Sequence, residues 1–185
     1  MKLIKTFLII FISLTTTIKA ESNKNLINEL KNGGKIIFIR HALAPGGGDP
    51  KNFDLNDCFT QRNLSNEGRK QAEHIGEFFK KNQIQIYKVL SSEWCRCKET
   101  AKIAFKNFST NSFLNSFYSF EFAKNKEKQI SALNDYIVKF KSDKNLILVT
   151  HYVLISEVLD YGPSSGEIIV SDKNFNIVGS IEIDY

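Results

Sequence analysis

The sequence predicts an α/β fold, a three-layer sandwich with a mostly parallel central sheet and helices on both faces. Three observations carry that expectation. Short β-branched apolar runs alternate with longer stretches of helical periodicity. The runs KIIFIR (35–40) and LILVT (146–150) are nearly all apolar, as strands covered on both faces are. No internal repeat or linker divides the 185 residues, so a single domain is expected.

The N-terminus stands apart from that domain. Lys2 and Lys5 give a positive start, residues 6–17 are rich in Leu, Ile and Phe, and Ile18-Lys19-Ala20 ends on a small residue. That order predicts a secretory signal peptide over residues 1–20 and a domain over 21–185. The competing reading is an uncleaved anchor, but a membrane span needs about 20 apolar residues and this run is shorter. No Cys follows the run, which argues against a lipid-anchored lipoprotein, so no stable membrane anchor is expected after cleavage. Removal of Lys2, Lys5 and Lys19 takes three of the five formal positive charges. The remainder, without an arginine-rich or aromatic-basic patch, does not point to a nucleic-acid partner.

The elements follow in order. Residues 21–32 read as a helix with Leu26, Ile27 and Leu30 on one face, and Gly33-Gly34 stops it. Residues 35–40 are the first strand. Residues 42–63 hold Pro45, three consecutive glycines, Asp49 and Pro50, a loop long enough to be functional. Ser65 caps a helix over 66–82 whose buried face carries Ala72, Ile75 and Phe79. A second strand over 86–91 leads into a helix over 93–106. The aromatic stretch 109–122 resists assignment, as a wall of a cleft or as core. A helix over 126–141 buries Ile130, Leu133, Ile137 and Phe140. The third strand, 146–150, precedes a short helix over 153–159. Two final strands, 167–171 and 174–183, form a hairpin around Asp172-Lys173.

Three cysteines fall in the predicted domain: Cys58, Cys95 and Cys97. In an oxidising compartment one pair is expected to close, and Cys95 with Cys97 is too close in sequence to do so easily. Cys58 with one of the two is expected, Cys97 ahead of Cys95. No His or fourth Cys has the spacing of a zinc site.

In such sheets ligands sit beyond the carboxyl ends of the strands. Arg40-His41 ends the first strand, Arg96 lies five residues past the second, and His151 ends the third. Two guanidiniums and two imidazoles thus converge on one sheet edge. Arg matches phosphate oxygens in pairs and stays charged. A neutral imidazole can attack phosphorus, and a second can donate to oxygens as charge shifts. The helix after Ser92 is expected to offer its N-terminal amides to the anion.

Four ordered segments resemble the histidine phosphatase superfamily, also called phosphoglycerate mutase-like. They are IIFIRHA (36–42), NLSNEGRKQA (63–72), VLSSEWCRCKETA (89–101) and LVTHYVLI (148–155). The resemblance implies that His41 is the nucleophile that carries a phosphohistidine. It implies that Arg40 and Arg96 bind the phosphoryl oxygens and that His151 completes the pocket. It implies a metal-independent phosphatase with no cofactor, acting on a small phosphorylated substrate. Exported bacterial members include enzymes acting on lipopolysaccharide-core phosphate, which would suit a periplasmic location.

Departures from the family pattern matter as much. Ala42 stands where most members have Gly after the first His, and Tyr152 stands where Gly or Asp follows the second. The stretch Phe113-Leu114-Asn115-Ser116-Phe117 has no acid where the mutase-like branch carries Glu. The general acid is therefore unassigned, with Glu121, Asp49 and Asp54 nearby in sequence. Without one, substrates with good leaving groups are favoured, such as phosphohistidine or an acyl phosphate.

Other readings compete. A non-catalytic phosphate- or ligand-binding member would retain the pocket without turnover, and a cytosolic phosphohistidine phosphatase would require residues 1–20 not to be a signal. Arg62 is either a substrate-contacting cation or a solvated one. Arg96 has Glu93 and Glu99 at i−3 and i+3 as alternative partners. His74 lies inside a helix, away from any strand end, as an ordinary boundary residue. Gly46-Gly47-Gly48 lacks the Lys-Ser/Thr of a P-loop and is read as loop flexibility.

Overall fold

The structure is a computed structural model that describes residues 24–185. The predicted signal peptide lies outside the described residues. The described chain opens in helix α1, which runs over 24–32 and ends on Gly33 and Gly34, both at positive φ (74° and 67°). Glycine is needed at the first of these for space as well: a Cβ on Gly33 would stand 1.9 Å from the Asp143 carbonyl oxygen.

The remaining elements are β1 (Ile36–Arg40), α2 (Asn66–Lys81), β2 (Ile86–Ser91), α3 (Cys95–Phe105), β3 (Ser109–Thr110), α4 (Phe120–Ala123), α5 (Lys126–Lys139), β4 (Asn145–Thr150), α6 (Tyr152–Leu159), β5 (Ile168–Ser171) and β6 (Ile177–Ile181). One six-stranded sheet has the order β3-β2-β4-β1-β5-β6. β3, β2, β4 and β1 run parallel, while β5 and β6 add an antiparallel hairpin on one side. The architecture is the expected three-layer sandwich.

Period-two alternation in the strands builds the two cores. Ile37 and Ile39 of β1 pack with Ile147 and Val149 of β4 beneath α1, α2 and α3, through Leu30, Ile75 and Ala101. Ile36 and Phe38 point the other way, with Leu146 and Leu148, against Leu133 and Ile137 of α5 and Leu154 and Ile155 of α6. β1 and β4 are therefore apolar at nearly every position because both their faces are covered.

Helix α2 begins as predicted, with the Ser65 hydroxyl oxygen accepting from the Gly68 amide at 3.1 Å. Gly68 then lets the helix approach the loop that follows β1: a Cβ there would lie 2.1 Å from the Leu43 carbonyl oxygen. The stretch 109–122 resolves into the two-residue edge strand β3, a 3-10 turn at Ser112–Leu114 and α4. It serves both readings, since Phe113, Leu114 and Phe117 are core whereas Tyr118, Phe120 and Phe122 face the large cavity described below.

The disulfide joins Cys58 to Cys95, not to Cys97. Positions two apart on a helix point about 200° apart. Cys95 therefore meets the 42–63 loop while Cys97 is turned into the core, where it is a free, buried thiol. The bond closes a loop of sequence separation 37, for which chain entropy alone gives about 3–4 kcal/mol. Cys58→Ser, or reductant on the parent chain, is expected to lower unfolding stability by up to that amount. Identical urea midpoints with and without reductant would show that the bond constrains nothing.

Candidate active site

Register alone brings the two histidines together. Arg40 of β1 is paired with Thr150 of β4, so His41 and His151 are the next residues on adjacent parallel strands. The His41 amide donates to the Thr150 carbonyl at 2.9 Å, and the two ring centroids are 5.5 Å apart. Both side chains are buried.

The hydrogen bonds decide which nitrogen of His41 is free. Nδ1 lies 2.9 Å from the Ala42 carbonyl oxygen. A carbonyl only accepts, so Nδ1 carries the proton and Nε2 keeps its lone pair. Ala42 is completely buried and fixed in turn, its amide donating to Thr100 Oγ1 at 3.0 Å. The methyl group thus fits where the family pattern has glycine.

His151 is tied to the start of α3. Asn115 Oδ1 accepts from the Glu93 amide (2.9 Å) and from the Ser92 hydroxyl (3.1 Å). With its proton committed there, Ser92 Oγ accepts from His151 Nε2 at 2.8 Å. His151 Nδ1 then accepts from Arg96 Nη2 at 3.4 Å. Asn115 sits in the stretch where an acid was missed, and it organises Ser92 rather than supplying a proton. Cys97 Sγ lies 3.5 Å from His151 Nε2, and burial pushes its thiol up to about 12, so it stays a neutral spacer.

Three guanidiniums reach the same cavity: Arg40, Arg62 and Arg96. Arg40 donates from Nη1 to the Pro163 carbonyl at 2.9 Å and lies 5.5 Å from the Tyr152 ring centroid. Tyr152, the departure after the second histidine, therefore lies against the Arg40 guanidinium. Arg62 is no solvated cation. Its Nε donates to the Gly48 carbonyl at 3.0 Å and its Nη1 to the Ala44 carbonyl, so it folds the glycine-rich loop around itself. Neither Glu93 nor Glu99 takes Arg96, because Glu99 pairs with Arg69 at 2.7 Å.

Arg96 pairs instead with Asp49, which sequence reasoning placed only as a nearby acid. Asp49 Oδ1 accepts from Arg96 Nη1 at 2.8 Å and Oδ2 from Nη2 at 3.3 Å. The Arg62 amide (3.0 Å) and the Trp94 indole (3.1 Å) also donate to this carboxylate. A carboxylate does then lie at the carboxyl edge of the sheet, delivered by a loop rather than by a strand end. Asp54 does not reach the cavity and caps its own turn through the Asn56 amide at 2.8 Å. Glu121 stands on the rim.

Three amides at the opening of α3 are spent within the protein. Those of Glu93, Trp94 and Cys95 donate to Asn115, Ser92 and Gln61. The expected contribution of this helix end to an anion site is therefore not made by these groups. Two buried donors do lack an acceptor: Arg40 Nε and Arg96 Nε. An orphaned buried N–H is costly. Gln71 links the walls, accepting from the Leu43 amide (3.0 Å) and donating to the Ser165 carbonyl (2.8 Å). His74 lies away from this cluster, its Nδ1 2.8 Å from the Asp184 carbonyl oxygen.

Burial, and next the charge of Arg96, hold both imidazoles well below the usual 6.5. The folded chain thus binds fewer protons than the unfolded chain just below that pH. Stability is complete above about pH 6.5 and is lost as pH falls, by up to about 1.4 kcal/mol per pH unit for each imidazole. Thermal unfolding between pH 7.5 and 5 is expected to show Tm falling on the acid side, with a shallower fall in His41→Asn/His151→Asn. A Tm flat across that range would contradict the assignment.

The cavity has a volume of about 920 Å³, and its lining runs from the buried His41, Arg96 and His151 to the exposed Tyr118, Phe120 and Tyr152. No group of three or more His, Cys, Asp or Glu among the described residues is placed to hold a metal ion.

The α/β sheet thus brings two histidines and three arginines to one carboxyl edge, a cationic cluster around one cavity. Residues 36–113 match the model of the histidine phosphatase superfamily, branch 1. That segment is under half of the chain, and over it the sequence is similar to the histidine phosphatase superfamily. No curated protein matches the sequence. Among solved structures the chain is similar to the protein histidine phosphatase SixA complexed with tungstate, at 14% identity and TM-score 0.55, over 81% of this chain and 96% of that one. It is similar to a phosphoglycerate mutase from Thermus thermophilus, at 14% identity and TM-score 0.55, over 81% and 99%. It is also similar to a mycobacterial glucosyl-3-phosphoglycerate phosphatase, at 15% identity and TM-score 0.55, over 75% and 92%. At these identities the likeness establishes the fold.

Proposed function

We propose that this chain is a metal-independent phosphatase that transfers a phosphoryl group to His41 Nε2 and then to water. The observation that carries it is the free Nε2 of a buried, neutral His41 in a cavity that Arg40, Arg62 and Arg96 also line. Nucleophile and oxyanion donors are thereby held before substrate arrives, which is the main demand of phosphoryl transfer. Arg40 and Arg96 neutralise the equatorial oxygens. His151, with its Ser92 contact able to supply or hold a proton, steadies the transferring group. Arg62 closes the loop over the site and adds a third positive charge.

The substrate is a small phosphorylated compound, a lipopolysaccharide-core phosphate among the candidates. The volume supports a leaving group much larger than the phosphate itself, since pockets of about 300–1,000 Å³ enclose drug-sized ligands. Export to the periplasm with cleavage after Ala20 completes the reading. The Cys58–Cys95 bond supports it, because such bonds persist in oxidising compartments.

The test is phosphate release by the chain from Glu21 onward, in the presence of chelator. Substrates are an aryl phosphate, sugar phosphates, phosphohistidine and a lipopolysaccharide-core phosphate, each beside His41→Ala. Release that requires His41 establishes the reading. Phosphate binding without release from any substrate would favour a non-catalytic binding protein.

A further inference from the structure

The leaving group of a phosphomonoester departs as an alkoxide unless something protonates it, and no acid occupies the sequence positions where one was sought. The cavity nevertheless contains a carboxylate in contact with the phosphate-binding machinery. Asp49 lies between Pro45-Gly46-Gly47-Gly48 and Pro50, and only 17% of its side chain is exposed.

The state of Arg96 shows what substrate binding must change. Nη1 donates to Asp49 and, at 3.4 Å, to the Arg62 carbonyl; Nη2 donates to Asp49 and to His151 Nδ1. All four Nη hydrogens are engaged, and Nε alone is free. A phosphoryl dianion needs more than one N–H from this arginine, and a guanidinium fork takes one bidentate anion at a time. The dianion therefore either takes the fork from Asp49 or lies beside an ionised carboxylate. Both events disfavour the charged carboxylate: the first removes its cation, the second brings like charge next to it.

We propose that Asp49 is the proton donor of this site, held as a carboxylate on Arg96 in the free protein and released in protonated form by the arriving phosphoryl group. The proposal rests on the phosphatase reading above. A proton carried by monoanionic substrate, or taken from solvent, moves to Asp49 as the phosphoryl group settles on Arg96. His41 Nε2 forms a bond to phosphorus and the bond from phosphorus to the leaving oxygen breaks. That oxygen keeps the electron pair and takes the proton of Asp49. In the second half, water bonds to phosphorus, gives a proton to the Asp49 carboxylate, and the N–P bond breaks to restore the lone pair on Nε2. The three glycines ahead of Asp49, two of them at positive φ (Gly46 and Gly48), supply the backbone freedom for its side chain to leave Arg96 for the leaving oxygen. Glu121 is the rival acid, but it stands on the exposed rim and no hydrogen bond ties it to an arginine of the site.

The test compares Asp49→Asn and Glu121→Gln with the parent chain on two esters: a nitrophenyl phosphate, whose leaving group needs little protonation, and an alkyl phosphate, whose leaving group needs it fully. Asp49→Asn is expected to lose about 10²–10⁴-fold in kcat on the alkyl ester and at most about tenfold on the nitrophenyl ester. Glu121→Gln is expected to leave the ratio between the two esters near that of the parent. Turnover of the nitrophenyl ester reports that the variant is folded; should Asp49→Asn not fold, Asp49→Glu reads the same ratio with an acid one methylene longer. Equal losses on both esters would overturn the proposal and make Asp49 only a clamp for Arg96. A selective loss in Glu121→Gln instead would move the role to that residue. If the parent hydrolyses neither ester, it is the phosphatase reading that fails.

Discussion

His41→Ala is expected to reduce phosphate release at least about 10³-fold on every substrate, because it removes the atom proposed to form the covalent intermediate. His41 is buried, but its hydrogen bonds are local: the amide to Thr150 survives the substitution, and only the ring contact to Ala42 is lost. The fold should therefore persist, with a stability loss confined to a small cavity. A second readout separates chemistry from damage. Brief acid-free denaturation during turnover should trap phosphate on the parent chain as an acid-labile, base-stable adduct, and the variant should trap none. Activity retained by His41→Ala, or an adduct on another residue, would remove the basis of the proposed mechanism.

Arg96→Ala is the second large effect. The guanidinium contacts Asp49, the Arg62 carbonyl and His151, and it holds one of two orphaned donors. Loss of one such preorganised donor set costs about 10²–10³-fold in kcat/KM. Arg96→Lys should recover little of it, because an ammonium cannot hold a carboxylate or phosphate through a planar fork while also donating to His151. Without Arg96, both imidazoles lose the charge that most opposes their protonation after burial, so their pKa values rise toward the ordinary range. NMR titration of the two rings would read that shift directly. Near-parent kcat/KM in Arg96→Lys would show that this position supplies charge alone.

The 42–63 loop connects these results. It carries Asp49 and Arg62, its end is fastened to α3 by the Cys58–Cys95 bond, and the Cys95 amide donates to Gln61 Oε1 at 2.9 Å. One segment thus sets the charge balance around Arg96, and the covalent bond beside Arg96 limits how far it can swing.

Strand positions were legible because β1 and β4 are covered on both faces, which leaves a nearly pure apolar run. The helices α2 and α5 were legible through their periodic apolar residues. The short β3 and α4 were not, since two strand residues and a single helical turn leave no period to read. Arg40, His41, Arg96 and His151 could be named from order along the chain, because each sits at a strand end or just beyond one. Ser92 lay within the third matched segment without any sign of its contact with His151, which depends on Asn115 arriving from 23 positions away.

By itself the sequence determined the α/β class, the strand ends that carry the two histidines, and the convergence of two arginines with them on one sheet edge. These follow from local hydrophobic pattern and residue chemistry, which act over a few positions. Tertiary structure alone decided that Cys58 meets Cys95, since helix phase turns Cys97 inward. It alone decided that Asp49 meets Arg96 across 47 positions and that Arg62 folds back on its own loop. A long loop rich in glycine has no period to announce where it lands, so its partners are fixed only when charge, burial and chain closure are satisfied together.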